Sequence, residues 1–250
     1  MAASASSPSS RGLFFLFEGV DRCGKTTQAR RLCEALAGAG ERCELLRFPD
    51  RASATGALLD RYLQRQLELD DRAVHLLFSA NRWEASARLA ALLRAGVHVV
   101  VDRYAHSGVC FSSAKPARDA LAPPNGAALS LEWCKAPDAG LPMPDVLLFM
   151  DIPLDKAAAR GGFGGERYET PEMQAAVRLR FAALRAEVEA VGAAVPGASE
   201  WANIDAAGTI DDVGAHILAL AQRAVAAARA EAEAGRARPM RALWQGDVLA

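Results

Sequence analysis

A short loop near the start of the chain has the residue types and spacing of a phosphate-binding site. GVDRCGKT at residues 19–26 matches the pattern G-x-x-x-x-G-K-[ST]. Its glycines let the backbone curl so that successive N–H groups point at phosphate oxygens. Lys25 supplies a positive charge to the outer phosphates, and the Thr26 hydroxyl is a ligand for Mg²⁺. Because an apolar run precedes the loop and a helix-forming segment follows it, we predict a site for a nucleoside triphosphate with Mg²⁺.

Asp102 is the second residue suited to this chemistry. It ends VHVVVD, the most continuous β-branched run of the chain. Ligands of open α/β sheets bind at the carboxyl ends of the strands. We predict that Asp102 and Thr26 hold the metal, with Asp102 acting directly or through water. The alternative is a strand-end aspartate that only caps the following segment.

The segment ARGGFGGERYE at residues 159–169 has the composition of a mobile lid. Its four glycines favour mobility, and Arg160 and Arg167 flank them at a spacing that allows both to turn toward one anion. A lid that expels water and brings arginines to the transferred phosphate has this composition. We predict a lid at about residues 160–168. The alternative is an exposed glycine-rich turn.

The hydrophobic pattern predicts the elements that must position these residues. Apolar runs alternate with amphipathic segments of helix length, which is typical of a parallel α/β sheet. Strands are predicted at residues 12–18, 43–48, 97–104, 145–152 and 201–206, and helices at residues 25–39, 70–96 and 209–234. The predicted fold is the α/β fold of P-loop NTPases, a Rossmann-like three-layer sandwich. It has a five-stranded parallel sheet, helices on both faces and a short Gly-rich lid.

The length of 250 residues allows one sizeable core, and we predict a single domain over residues 12–244. Residues 1–11 are mostly small and polar and have little to bury, so we predict a disordered tail there. Residues 245–250 are predicted to be a C-terminal tail. A Pro-rich and Ala-rich stretch with a Pro-Pro-Asn-Gly turn signal predicts a loop insertion at about residues 114–129.

Composition excludes several classes of protein. A net charge of −1 and a pI near 6.4 argue against a general nucleic-acid binder. The five cysteines are scattered without a C-x-x-C pair, which argues against a disulfide framework and favours a reducing compartment. No apolar run approaches the roughly 20 residues of a membrane helix. We expect no nucleic-acid or membrane partner and a cytoplasmic location, with a nuclear one as the alternative and organelle targeting less favoured.

The motifs that are absent narrow the function to a small-molecule phosphotransferase. A GTPase needs the guanine-reading N-K-x-D, which does not occur in the chain. A helicase or transporter ATPase is usually longer and has further motifs after the metal-binding acid.

The chain resembles the eukaryotic-type thymidylate kinases, which belong to the P-loop nucleoside monophosphate kinases and phosphorylate dTMP to dTDP with ATP. The resemblance extends over residues 12–244. It rests on EGVDRCGKTTQ, LLRFPDR, HLLFSANRWE, VVVDRYAHSGVCFS, SLEWCK, PDVLLF and RGGFGGERYE, in the order of the family. It implies ATP as donor, dTMP as acceptor and a homodimer packed through helices. The apolar-rich stretch at residues 73–93 of the predicted helix 70–96 is a candidate for that interface.

The resemblance also implies roles at the junction of the two nucleotides. Asp21 reaches the 3′-hydroxyl of the acceptor and interacts with Arg103. Arg22 lies near the γ-phosphate and stabilises the transferred charge, as an arginine finger supplied in cis would do. Arg22, Lys25, Asp21 and Arg103 are the implied catalytic residues. The implied ATP-binding residues are Gly19, Val20, Asp21, Arg22, Cys23, Gly24, Lys25, Thr26, Thr27 and Arg160.

A third set of residues is implied to hold dTMP. Arg51 grips the 5′-phosphate, Phe78 stacks on thymine and Arg82 hydrogen-bonds its O4. Phe78 and Arg82 are four residues apart and share one face of a helix; their alternatives are a core phenylalanine and a solvated arginine. Phe111 excludes a 2′-hydroxyl, which is worth roughly 1–3 kcal/mol. The full implied set is Asp21, Phe48, Arg51, Phe78, Arg82, Arg103, Ser107, Gly108, Phe111 and Tyr168.

Two other functions remain open at this level. A deoxynucleoside kinase would share the loop and the lid, but it needs a base after the first strand and no clamp for a 5′-phosphate; Arg51 and Asp21 argue against it. A non-catalytic nucleotide-binding protein is disfavoured by four intact residues, Lys25, Thr26, Asp102 and Arg103. The insertion at residues 114–129 is longer than the usual link of the family and lies next to the expected acceptor pocket.

Overall fold

A five-stranded parallel sheet forms the centre of the molecule, as predicted. The computed structural model describes residues 11–116, 129–194, 199–236, 238–245 and 249. The strands are β1 (Phe14–Glu18), β2 (Cys43–Arg47), β3 (His98–Asp102), β4 (Val146–Asp151) and β5 (Glu200–Asp205). Their spatial order is β2-β3-β1-β4-β5, and every neighbouring pair is parallel. The chain leaves β1 and β3 toward opposite edges of the sheet, so their carboxyl ends form a crevice of the kind that binds ligands.

Helices cover both faces of the sheet. They are α1 (Lys25–Gly38), α2 (Ala54–Leu63), α3 (Asp71–Arg94), α4 (Ala105–Ser113), α5 (Leu131–Lys135), α6 (Leu154–Ala159), α7 (Pro171–Ala194) and α8 (Ile210–Glu233), with a 3₁₀ turn at Ala136–Asp138. The three predicted helices, α1, α3 and α8, are confirmed within two residues at each end. Asp70 and Thr209 are the N-caps of α3 and α8, because their side chains accept hydrogen bonds from first-turn N–H groups.

Alternate residues of the central strand point into two separate cores. Phe14 and Leu16 pack with residues of α3, α4 and α7 on one face of the sheet. Leu13, Phe15 and Phe17 pack with residues of α1 and α8 on the other face. A strand that is buried on both faces is continuously apolar, which is the pattern that predicted β1.

The predicted boundaries need two corrections. Arg11, which we placed in the tail, forms hydrogen bonds of 2.8 and 2.6 Å with the two carboxylate oxygens of Asp145, so it is held against the residue before β4. Arg103 and Tyr104, predicted at the end of the third strand, follow β3 instead. Residues 1–10, most of the predicted insertion (117–128) and residues 246–248 and 250 lie outside the described residues.

The described part of the chain contains no helix that is both long and apolar enough to cross a bilayer. All five cysteines are free thiols.

Candidate active site

One cavity of about 650 Å³ opens at the carboxyl edge of the sheet and contains most of the predicted site. The predicted residues that line it are Asp21, Arg22, Cys23, Gly24, Lys25, Thr26, Thr27, Phe48, Arg51, Phe78, Arg82, Arg103, Ser107, Gly108, Phe111, Arg160 and Tyr168. Gly19, Val20, Asp102 and Arg167 do not line it. Gly19 and Val20 belong to the phosphate loop itself, Asp102 accepts a hydrogen bond from Thr26 of the loop, and Arg167 points away from the cavity.

The phosphate loop curls around the amino group of Lys25. Gly19 has a φ of 141°, and a Cβ atom there would lie 2.7 Å from the carbonyl oxygen of Met150, so only glycine fits. Lys25 is buried, and its Nζ donates to the carbonyl oxygens of Gly19 at 3.1 Å and Val20 at 2.6 Å. Gly19 and Val20 therefore act through their backbone, and the ammonium group is held inside the loop.

Thr26 and Asp102, the two predicted metal ligands, meet beside the loop. The Thr26 hydroxyl donates to Asp102 Oδ2 at 2.6 Å, and the register of β1 and β3 pairs Phe17 with Asp102. Asp102 is 2% exposed, and its Oδ1 has no hydrogen-bond partner among the described residues. A buried carboxylate oxygen without a partner, next to a hydroxyl, fits a site for Mg²⁺. Magnesium typically takes only one or two protein ligands, with water and phosphate as the others.

Asp21 connects the loop to two other elements. Its Oδ1 accepts a hydrogen bond from Arg103, as the resemblance implied, and Oδ2 accepts one from Gln174 Nε2 at 2.7 Å. The backbone N–H of Asp21 donates to Gln174 Oε1 at 2.7 Å. Arg103 also donates to Ser107 Oγ at 3.2 Å. No local pattern in the sequence indicated Gln174, which lies 153 positions from Asp21 on α7.

Arg22 joins the phosphate loop to the lid. Its Nε donates to Glu169 Oε1 at 2.8 Å and its Nη2 to the carbonyl oxygen of Gly162 at 2.6 Å. The hydrogen bond to Glu169 raises the pKa of Arg22. In return, Arg160 of the lid donates to the carbonyl oxygens of Arg22 at 3.0 Å and Ala206 at 2.8 Å. Arg22 and Arg160 thus hold the lid over the loop.

Both arginines next to Asp21 have an uncommon backbone conformation. The φ angles of Arg22 and Arg103 are 62° and 69°, in the left-handed region that side chains other than glycine rarely adopt. Such conformations cost of order 1–3 kcal/mol and cluster at functional sites.

Arg167 is a correction to the prediction that both lid arginines turn toward one anion. Its guanidinium lies 4.2 Å from the ring centroid of Tyr62, and Nε donates to the carbonyl oxygen of Tyr62 at 2.8 Å. Nη2 donates to Glu68 Oε1 at 2.6 Å. Arg167 therefore ties the lid to the end of α2.

Arg51 lies in the cavity between two carboxylates. Its Nη1 donates to Asp60 Oδ1 at 2.5 Å and its Nη2 to Glu166 Oε1 at 2.6 Å. Asp60 belongs to α2 and Glu166 to the lid. An anion that binds Arg51 therefore competes with a lid carboxylate.

Aromatic side chains and a buried arginine form the far end of the cavity. Phe111 packs against Tyr168 with ring centroids 5.6 Å apart, and Arg103 lies 5.2 Å from the Phe111 ring. Phe78 is half-buried in the wall of the cavity. Arg82 is buried rather than solvated, which excludes the alternative reading, and it pairs with Asp138.

Glu18 is a further residue that the sequence analysis missed. It is fully buried at the end of β1, and its Oε1 accepts hydrogen bonds from the N–H groups of Tyr104 and Ser107, each at 3.0 Å. Oε2 accepts one from Ser107 Oγ at 2.5 Å. Glu18 thus caps α4, the helix that carries Ser107, Gly108 and Phe111, and burial raises the pKa of Glu18. The signal available in the sequence was the position of this acidic residue at the end of an apolar run.

The phosphate loop and the second group of basic and aromatic side chains share one cavity, so the donor site continues into a site for a second ligand. This fold and this loop are those of P-loop nucleotide-binding proteins.

Comparisons with known proteins agree on one family. The thymidylate kinase family model matches residues 17–217. The chain is 42% identical to the thymidylate kinase of Homo sapiens and 41% identical to that of Danio rerio, each over 94% of this chain and 98% of the relative. A solved structure of a thymidylate kinase from Candida albicans is similar with a TM-score of 0.70 and 33% identity, covering 85% of this chain and 92% of that chain. The chain belongs to the thymidylate kinase family.

Proposed function

We propose that the protein transfers the γ-phosphoryl group of ATP to the phosphate of dTMP and so forms dTDP. The observation that carries this proposal is the position of Asp21. It belongs to the phosphate loop and is hydrogen-bonded to Arg103 and Gln174, where the donor end of the cavity meets the acceptor end. A loop that only held a triphosphate would not need these contacts.

At the donor end, the N–H groups of the loop, Lys25 and Arg160 bind the phosphates of ATP. Arg160 lines the cavity and is held by the backbone of Arg22. Thr26 and Asp102 hold Mg²⁺, which, when bound, neutralises part of the charge on the donor phosphates.

At the acceptor end, Arg51 binds the 5′-phosphate of dTMP, and Asp21 and Arg103 bind next to the sugar. Phe78 and Tyr168 enclose the base, and Phe111 occupies the space of a 2′-hydroxyl. Arg51, Arg103 and Phe111 line the same cavity as the phosphate loop, and this continuity supports the proposal. The remaining acceptor residues are Phe48, Arg82, Ser107 and Gly108.

The reaction needs no general base, because the attacking oxygen belongs to a phosphate that is already ionised. Catalysis is therefore positioning and stabilisation of charge on the transferred group. Arg22 and Lys25 supply positive charge from the loop itself, and closure of the lid excludes water.

We also propose that the protein is a homodimer formed through α3. This helix exposes two large apolar side chains, Leu76 at 48% and Trp83 at 41%. Sedimentation equilibrium measures the oligomeric state.

The free cysteines support a reducing compartment, the cytoplasm or the nucleus. Microscopy of the tagged chain would test this location.

An acceptor panel with ATP tests the proposed function. We expect rapid release of ADP with dTMP, slower release with dUMP and almost none with thymidine, because only the nucleotides carry the phosphate that Arg51 binds. Chelation of the metal stops the reaction, and Lys25→Met is the inactive control. Faster phosphorylation of thymidine than of dTMP would identify the protein as a deoxynucleoside kinase instead.

A further inference from the structure

Arg82 reaches the cavity from a buried ion pair. Its Nε donates to Asp138 Oδ1 at 3.0 Å and its Nη2 to Asp138 Oδ2 at 2.5 Å. The side chains are 3% and 0% exposed, respectively. Paired hydrogen bonds between a planar guanidinium and a carboxylate fix the orientation of the arginine as well as its position.

The elements around this ion pair hold both partners in place. Asp138 ends the 3₁₀ turn after α5, and Ser79 of α3 donates to Asp138 Oδ1 at 2.8 Å. On the other side, the guanidinium of Arg82 lies against the backbone of α4 at Gly108. A Cβ atom at Gly108 would be 2.8 Å from Arg82 Nη2, so the close approach requires glycine.

The negative charge of Asp138 compensates the buried positive charge of Arg82. Breaking a buried ion pair by removing one partner is costly, because the other charge is left without compensation. The two nearest histidines add no positive charge at neutral pH, because burial lowers the pKa of His75 and of His106 to about 4. The only carboxylate that pairs with Arg82 in the described part of the chain is Asp138.

The remaining N–H groups of Arg82 are available to the cavity that it lines. Nη1 has no hydrogen-bond partner among the described residues, and Arg82 is a wall of the cavity. A guanidinium donates hydrogen bonds and accepts none. A fixed donor in this position favours a ring that presents a carbonyl oxygen and disfavours one that presents an amino group, which is itself a donor.

We propose that Asp138 is a specificity-determining positioning residue for the acceptor base. It holds Arg82 so that the free N–H groups select a pyrimidine with a carbonyl oxygen at position 4, as in thymine, over one with an amino group there, as in cytosine. The inference rests on the proposed function, which places the acceptor base against Arg82. Asp138 does not line the cavity and acts only through Arg82.

The test combines Asp138→Asn with a change in the substrate. Steady-state kinetics are measured with dTMP, with dCMP and with a dTMP analogue that has hydrogen in place of the 4-oxygen. In the variant we expect kcat/KM for dTMP to fall by roughly 10- to 100-fold, the loss of a hydrogen bond to a charged group, mainly through KM. The value of kcat/KM for the analogue should fall much less, and the ratio of kcat/KM for dTMP to that for dCMP should become smaller. Asp155→Asn, an exposed aspartate on α6, is the matched control and retains wild-type preferences.

A merely structural role predicts a different pattern, because it lowers activity with dTMP and with the analogue by the same factor. That result overturns the proposal. If Asp138→Asn does not fold, Ser79→Ala provides the same comparison, since it removes one hydrogen bond to Asp138 and keeps the charge. A several-fold loss confined to dTMP supports the proposal, and an equal loss with both substrates refutes it. Absence of dTMP phosphorylation in the wild-type protein would refute the proposed function itself, separately from the role of Asp138.

Discussion

Arg22 combines two contacts that the sequence alone does not connect. The motif around it indicates a positive charge close to the transferred phosphate. In the structure the same guanidinium is also bonded to Glu169 and to the backbone of the lid at Gly162. Because this cation belongs to the phosphate loop and also holds the lid, it links lid closure to the positive charge that catalysis requires.

Replacing Arg22 should therefore affect turnover more than binding. For Arg22→Ala we expect kcat to fall by roughly 10²- to 10³-fold, the usual effect of removing one group that stabilises transition-state charge. KM for dTMP should change only a few-fold, because Arg51 and Arg103 still bind the acceptor. A coupled assay of ADP release measures both constants. Arg30→Ala, an exposed arginine on α1, is the control. An unchanged kcat in Arg22→Ala would exclude the proposed role.

The sequence alone was enough to identify those site residues that act together with other residues of the same short motif. The spacing of the phosphate loop predicted Lys25 and Thr26. The partners Gln174 and Asp138 were missed, because each meets its target only after the sheet brings distant segments together. Gln174 bonds Asp21 across 153 positions, and Asp138 bonds Arg82 across 56. Long-range pairing of this kind has no local pattern.

At the scale of the elements, the strands were easier to predict than the helices. Strands β1, β3 and β4 are short, mainly apolar runs, which is the signal of a buried parallel sheet, whereas the edge strands β2 and β5 are partly exposed and carry polar residues. Helix α4 was missed because all of its residues are buried, so no polar face produces a helical period. Helix α7 was not predicted either, although its N-terminus carries sequence signals of a helix start, with Pro171 at the first position and Glu172 in the first turn.

The lid shows how an element decides the role of a residue. Arg160 faces the cavity, whereas Arg167 stacks on Tyr62 and bonds Glu68. For Arg167→Ala we expect KM for dTMP to rise several-fold with little change in kcat, because the lid loses its contact with α2. For Arg160→Ala we expect kcat to fall by at least tenfold, since it faces the phosphates. Initial rates over a range of dTMP concentrations separate the two effects. A kcat effect as large for Arg167→Ala would restore its predicted phosphate role.

At the scale of the whole molecule, two buried histidines make stability depend on pH. Burial lowers the pKa of His75 and His106 to about 4, from 6.5 when unfolded. Between these values the unfolded chain binds protons that the folded chain does not. The free energy of unfolding therefore falls as the pH drops from about 6.5 to about 4, by roughly 1.4 kcal/mol per pH unit for each histidine.

His106→Phe should remove the contribution of His106 to this dependence, because phenylalanine does not titrate. The new ring can still stack on Trp244, which lies 5.6 Å from the His106 ring. Between pH 7.5 and pH 5, the wild-type protein should lose about 2 kcal/mol more of its unfolding free energy than the variant does. Urea unfolding at the two pH values measures the difference. His216→Gln, at an exposed position on α8, should behave as wild type. Equal losses in wild type and in His106→Phe would show that His106 is not held neutral.

The alternation along β1 has a consequence for mutations in that strand. Phe14 and Leu16 support the helices of the acceptor end, whereas Phe15 and Phe17 support α1, which follows the phosphate loop. A mutation at an even position therefore disturbs first the packing behind the acceptor end, and one at an odd position disturbs first the packing behind the donor loop. Mutations along one short strand can thus act on the two ends of the site separately.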